Sequence, residues 1–84
     1  MDVKIWIINW FEENTNLKKD EIGNSISKNY FEMGWIDSFK FISFINDIEK
    51  KFNINFSNEE FQNRAFSNVE GLIKIIQGKI NEKK

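Results

Sequence analysis

The sequence predicts an all-α fold, a small four-helix bundle of three longer helices and one short third helix, with a long loop between the first and second. Two apolar stripes and two start signals carry that reading. Phe41, Phe44, Ile45, Ile48 and Phe52 recur at i, i+3, i+4, i+7 and i+11, the period of a helix buried along one side. Val69, Leu72, Ile73, Ile76 and Ile80 make a second such face. Ser57-Asn-Glu-Glu60 and Ser67-Asn-Val-Glu70 both have the S-x-x-E form in which serine and glutamate cap each other's backbone at a helix start.

The first helix is expected from Val3 to Glu13, where Ile5, Trp6, Ile8, Trp10 and Phe11 are dense enough for a widely buried face and Asp2 stands ready as N-cap. Between Asn14 and Ile36 the periodicity dissolves. Leu17, Ile22, Ile26, Tyr30, Phe31 and Met33 occur irregularly, as anchors pinning a loop, with short helical turns expected around Lys18 to Ile22 and Tyr30 to Met33. The second helix follows from Ser38, its stripe widened by Phe39 and Ile42, and Asn53 to Phe56 is its exit. The third is short, from Ser57 through Phe61. The last opens at Ser67, and Lys79, Lys83 and Lys84 suit its negative end.

There is no Pro, no internal repeat and no break in composition, so residues 1–84 read as a single domain. A chain of this size buries roughly 60 to 65% of the surface it exposes unfolded, which leaves no room for a large enclosed active site. Nine Phe and three Trp supply the bulk of the core. The absence of Cys and His removes disulfides, thiolate chemistry, the usual zinc ligands and the imidazole base. A net charge of -1, with lysine pairs scattered along the chain, gives no basic field for nucleic acid. No apolar run approaches the roughly 20 residues that span a bilayer. The N-terminal apolar stretch is broken by Asn9 and too short for a secretory signal, so a cytoplasmic location is expected.

Chemistry concentrates in Met33-Gly-Trp-Ile-Asp-Ser-Phe39. Gly34 falls in a turn, Asp37 at the helix boundary and Ser38 at the first helical position, where unpaired backbone N–H groups and the helix dipole favour an anion by roughly 0.3 to 1 kcal/mol. A phosphate-linked modification of the Ser38 hydroxyl fits that place. Asp-Ser at a helix start is also ordinary capping, worth roughly 1 kcal/mol and requiring no chemistry at all.

From Tyr30 to Ile76 the chain resembles the phosphopantetheine-dependent carrier proteins of the acyl carrier type, where a Gly-containing turn leads to Asp-Ser-Leu or Asp-Ser-Phe, an amphipathic helix, a short third helix and a fourth. Gly34, Asp37-Ser38-Phe39, the stripe through Phe52, Ser57 to Phe61 and the helix from Ser67 carry the likeness. The Gly-Trp-Ile-Asp-Ser-Phe wording, and Glu60-Phe-Gln-Asn-Arg-Ala-Phe-Ser67, resemble stand-alone D-alanyl carriers more than fatty-acid acyl carriers. The resemblance implies that a phosphopantetheinyl transferase, using coenzyme A and magnesium, joins a 4′-phosphopantetheine arm to Ser38. The arm's thiol then holds an acyl or aminoacyl group as a thioester, loaded by a ligase and passed to downstream acyl-transfer enzymes. Asp37 would lie against the transferase's metal-bound coenzyme A besides capping the helix. A non-catalytic monomer is expected.

Two departures from the pattern stand out. Fatty-acid acyl carriers have a strongly acidic second helix, whereas here Lys40 stands two after the serine, Ser43 five after it, and the helix ends in Lys50-Lys51. The Ile-Pro that usually precedes the third helix is replaced by Asn55-Phe56-Ser57.

Partner contact is expected at Trp35, Phe39, Lys40 and Ser43. Trp35 has a second reading, in which it or Ile36 folds back onto the bundle. Phe39 is expected as a lid between arm and core. Ile54, Phe56, Phe61 and Phe66 are core residues first, and contacts for cargo or partners second. An unmodified interaction module, with Ser38 only a cap, is the rival reading. A serine enzyme using Lys40 as base is disfavoured, because residues two apart point to different faces of a helix. The carboxylates Glu12-Glu13, Glu59-Glu60 and Asp47/Glu49 read as solvated faces rather than acid–base pairs.

Overall fold

Asp2 begins the chain's first regular element: its carboxylate accepts from the Ile5 amide at 3.3 Å and opens α1, Val3–Asn14. The computed structural model describes residues 2–82. Four further helices follow, α2 (Lys19–Gly23), α3 (Ser38–Phe52), α4 (Asn58–Phe61) and α5 (Val69–Glu82), with a 3-10 turn at Arg64–Ser67 before α5. The all-α bundle is as the sequence predicts, and the anticipated turn near Lys18 to Ile22 is a short helix of its own.

The core lies where α1, α3 and α5 meet. Val3, Ile7, Trp10 and Phe11 of α1, Phe44, Ile45 and Ile48 of α3, and Val69, Leu72 and Ile76 of α5 are all buried. Phe11 is its aromatic hub, with ring centroids 5.1 Å from Phe44, 5.7 Å from Tyr30 and 5.6 Å from Trp35. Trp6 meets Phe52 edge-on at 5.5 Å, so α1 and α3 are joined along their length. The Trp10 indole N–H donates to Asp47 at 2.8 Å, which satisfies the one polar atom that the buried ring carries.

Several expected packing residues lie elsewhere. The inward face of α1 is the i, i+4, i+7, i+8 set from Val3, which turns Ile5 to solvent at 57% exposure. Phe39 and Ile42, expected to widen the α3 stripe, are 84% and 59% exposed because they fall outside the arc that α1 and α5 cover. Phe31 and Met33 are similarly outward, whereas Ile22 and Tyr30 are fully buried and Leu17 and Ile26 pack against the core.

The long loop is tied down by backbone as well as by side chains. The Tyr30 amide donates to the Ser67 carbonyl at 2.9 Å, the Glu70 amide to the Ile26 carbonyl at 2.9 Å, and the Tyr30 hydroxyl to the Phe66 carbonyl. Burial pushes the Tyr30 phenol far above its usual range. This strap moves the cap of α5 by one residue. The Glu70 N–H that Ser67 would have capped is claimed by Ile26, and Asn68 instead accepts from the Gly71 amide at 2.7 Å. The start at Ser57 is as expected: Ser57 Oγ accepts from the Glu60 amide at 3.3 Å, and Glu60 accepts from the Ser57 amide at 2.8 Å. Of the cationic residues expected at the end of α5, Lys79 lies in its last turn and also pairs with Glu60 at 2.8 Å, while Lys83 and Lys84 lie outside the described residues.

Candidate functional site

The loop enters α3 through a turn that glycine makes possible. Gly34 has φ +74, a left-handed conformation in which a side chain would be strained, and a Cβ there would meet nothing within 4 Å. Ile36 then plugs into the core and Trp35 lies half-buried against Phe11, so both fold back onto the bundle. Trp35 as a whole remains partly exposed. The chain emerges at Asp37, whose carboxylate accepts from the Lys40 amide at 2.9 Å while its carbonyl accepts from Phe41 at 2.9 Å.

Ser38 is therefore the first residue of a 15-residue helix and is exposed. The Lys40 and Phe41 amides are taken, but those of Ser38 and Phe39 have no protein acceptor among the described residues. Two free N–H groups and the positive helix end thus lie beside an accessible hydroxyl, a setting that accepts a phosphodiester. The residues fit a group joined through phosphate, which Ser38 would hold and whose negative charge the free amides of Ser38 and Phe39 would serve.

Lys40 is about 200° around the helix from Ser38 and its ammonium donates to the Asn14 carbonyl, closing the end of α1. It is not placed to take a proton from Ser38. Phe39 touches no other aromatic ring and stands clear of the core, and Ser43 is exposed on the same side of α3. Among the described residues no group of carboxylates could hold a metal ion.

One turn beyond Ser38 a groove opens between α3 and α4. It has a volume of about 300 Å³ and is lined by Phe41, Ile42, Ile45, Phe56 and Phe61, with Asn46 and Glu49 at its polar edge. Ser38, Ile42, Ile45 and Glu49 recur at i, i+4, i+7 and i+11, so the serine and the α3 wall of the groove share a face. Of the four residues read as core first and cargo second, Ile54 and Phe66 are buried and Phe56 and Phe61 line the groove. The α3 wall was not legible in the sequence. Glu49 and Phe56 are joined by a hydrogen bond at 3.0 Å from the Phe56 amide, a contact across the reversal after Asn53 that no helical period announces.

The family model described as a phosphopantetheine attachment site matches residues 6–76, most of the chain. Neither a curated protein nor a solved structure matches it.

Proposed function

Because the chain belongs to the family of phosphopantetheine-attachment domains, whose members are carriers bearing a covalent 4′-phosphopantetheine, we propose that Ser38 is the attachment residue and that the protein carries an acyl or aminoacyl group. The observation that supports Ser38 most is its position: an exposed hydroxyl at the start of α3, beside two backbone amides without acceptors. Once attached, the arm supplies a terminal thiol that holds cargo as a thioester. The chain's own part is to present the hydroxyl, to face the phosphate with the Ser38 and Phe39 amides, and to shelter cargo. Asp37 keeps the helix start in place, and Gly34 gives the turn that exposes it.

The α3–α4 groove fits a short cargo. Its volume of about 300 Å³ is at the small end of ligand sites, and its apolar walls end in Asn46 and Glu49. Small acyl and aminoacyl groups, D-alanyl among them, suit it better than a long acyl chain. In this reading residues 1–84 are one carrier domain acting as a monomer and performing no catalysis itself. Its partners are a phosphopantetheinyl transferase, a loading ligase and acyl-transfer enzymes of the cytoplasm. No described helix is long and apolar enough to cross a membrane.

The test is intact mass after incubation with coenzyme A, magnesium and a broad-specificity phosphopantetheinyl transferase. The wild type is expected to gain one phosphopantetheine and Ser38→Ala none, with both folded by circular dichroism. No gain on the folded wild type overturns the carrier reading and leaves the interaction module, whose partner binding would survive Ser38→Ala.

A further inference from the structure

Glu49 stands three turns along α3 from Ser38 and on the same face. Eleven residues advance a helix by about 16 Å and rotate it by about 1,100°, within about 20° of three full turns. A phosphopantetheine arm is a chain of about 14 bonds from the serine oxygen to the sulfur, and at the advance of an extended backbone it spans roughly 17 Å. Its thiol end is therefore within reach of the Glu49 end of the groove.

The groove changes character along that distance. Phe41, Ile42 and Phe61 wall it apolarly, whereas Glu49 brings a half-buried carboxylate to its edge beside Phe56. Only one oxygen of that carboxylate is engaged. It accepts from the Phe56 amide at 3.0 Å, and the other has no donor among the described residues. Glu49 also forms no ion pair among the described residues. The Lys79 ammonium, which lies 5.6 Å from the centre of the Phe56 ring, is paired with Glu60 at 2.8 Å instead. Lys50 and Lys51 follow Glu49 directly and so point about 100° and 200° away around the helix. An apolar cleft that ends in an unneutralised carboxylate complements a small apolar body with a cationic tip.

We propose that Glu49 is the cargo-selecting residue of the groove, and that its open oxygen accepts from the free ammonium of a short α-aminoacyl group. The inference rests on the carrier reading of Ser38 and narrows its cargo from acyl or aminoacyl to aminoacyl. Near pH 6 such an amine is protonated, since α-amino groups titrate at about 7.7 to 8. Its bond to a carboxylate is charge-assisted and therefore stronger than a neutral one. A neutral acyl group of the same size gains only the apolar contact, and a cargo that ends in a carboxylate meets like charge.

The experiment uses a broad-specificity transferase with alanyl-, propionyl- and succinyl-coenzyme A to install each loaded arm on the wild type and on Glu49→Gln, so that no ligase is needed. Glutamine keeps an oxygen for the Phe56 amide and removes the charge. The readout is thioester cleavage by hydroxylamine at pH 6, taken relative to the same thioester on free coenzyme A, which cancels the intrinsic reactivity of each cargo. On the wild type, alanyl is expected to be protected about fivefold more than propionyl, and on Glu49→Gln to within about twofold of it. Succinyl is expected to be protected least on the wild type. The Phe56 amide resonance should also differ between the alanyl-loaded and propionyl-loaded wild type. Equal protection of alanyl and propionyl on the wild type overturns the proposal whether or not the variant folds, and so does an alanyl preference that survives in folded Glu49→Gln. In both cases the installed arm leaves the carrier reading standing. No transfer to the folded wild type from any of the three overturns both.

Discussion

The core between α1, α3 and α5 and the flap made by α4 are held by different kinds of force. In the core, Ile7, Phe11, Phe44, Ile48, Leu72 and Ile76 have no exposed surface, and rings and branched side chains fill the space among three long helices. Of the four residues of α4, none is buried. That helix is kept in place by the Ser57–Glu60 capping box, the Glu60–Lys79 ion pair and ring contacts such as Phe61 to Phe66 at 5.2 Å. One region derives its stability from area removed from water, the other from a few polar ties at the surface. The groove lies along the seam between them and takes one wall from each.

The largest test of this contrast is Phe44→Ala. Truncating a fully buried ring costs about 3 to 5 kcal/mol, a large share of what a domain this small possesses. Urea denaturation should show the loss, and a change below about 1 kcal/mol would break the claim that the core is the seat of stability.

Tyr30→Phe is next, at about 1 to 3 kcal/mol, because it leaves the buried Phe66 carbonyl without its donor. Tyr30 is the only tyrosine, so its ionisation can be followed directly by tyrosinate absorbance. In the folded chain the phenol keeps its proton well above the ordinary range, whereas the unfolded chain releases it near pH 10. The unfolded state then binds fewer protons, so stability is complete below pH 10 and falls as pH rises beyond it. The same decline should be absent in Tyr30→Phe. An absorbance midpoint near 10 in the folded protein would contradict the burial.

The smallest effect concerns the flap. Burial pushes the Glu60 carboxyl up, but the hydrogen bonds from Lys79 and Ser57 and the Lys79 charge outweigh it and hold the group below its usual range. Its contribution is therefore present at neutral pH and lost as pH falls through the folded value. Glu60→Gln should change global stability by no more than about 1 kcal/mol. Exchange of the α4 amides, corrected for intrinsic rates, should nonetheless quicken in Glu60→Gln, and on acidification it should quicken in the wild type alone. Equal exchange in both proteins would show that the ion pair does not hold the flap.

The chain announces its helices more clearly than their orientation. The α3 stripe was legible because Phe41, Phe44, Ile45 and Ile48 recur at helical spacing whatever surrounds them, and the placing of Gly34, Asp37 and Ser38 follows from turn and cap chemistry within a few residues. Ile5 and Ile42 were misread as packing residues, and Phe39 as part of the buried α3 stripe and as a lid over the core, because hydrophobicity says that a side chain would gain from burial, not that a neighbour is there to provide it. The shift of the α5 cap from Ser67 to Asn68 depends on Ile26, more than forty residues earlier, and local pattern carries no such information. The same is true of the α3 wall of the groove, which exists only because α4 folds back beside Ile42 and Ile45.

The strap between the loop and the start of α5 also bears on the order in which the chain assembles. The Tyr30 hydroxyl bond closes a span of 36 residues, and α3 lies inside that span. Closing it costs chain entropy that is offset only when Phe66 and the residues after it are already against the core. On that ground the loop is expected to dock late, after the three long helices have met. Loosening the strap should speed unfolding far more than it slows folding.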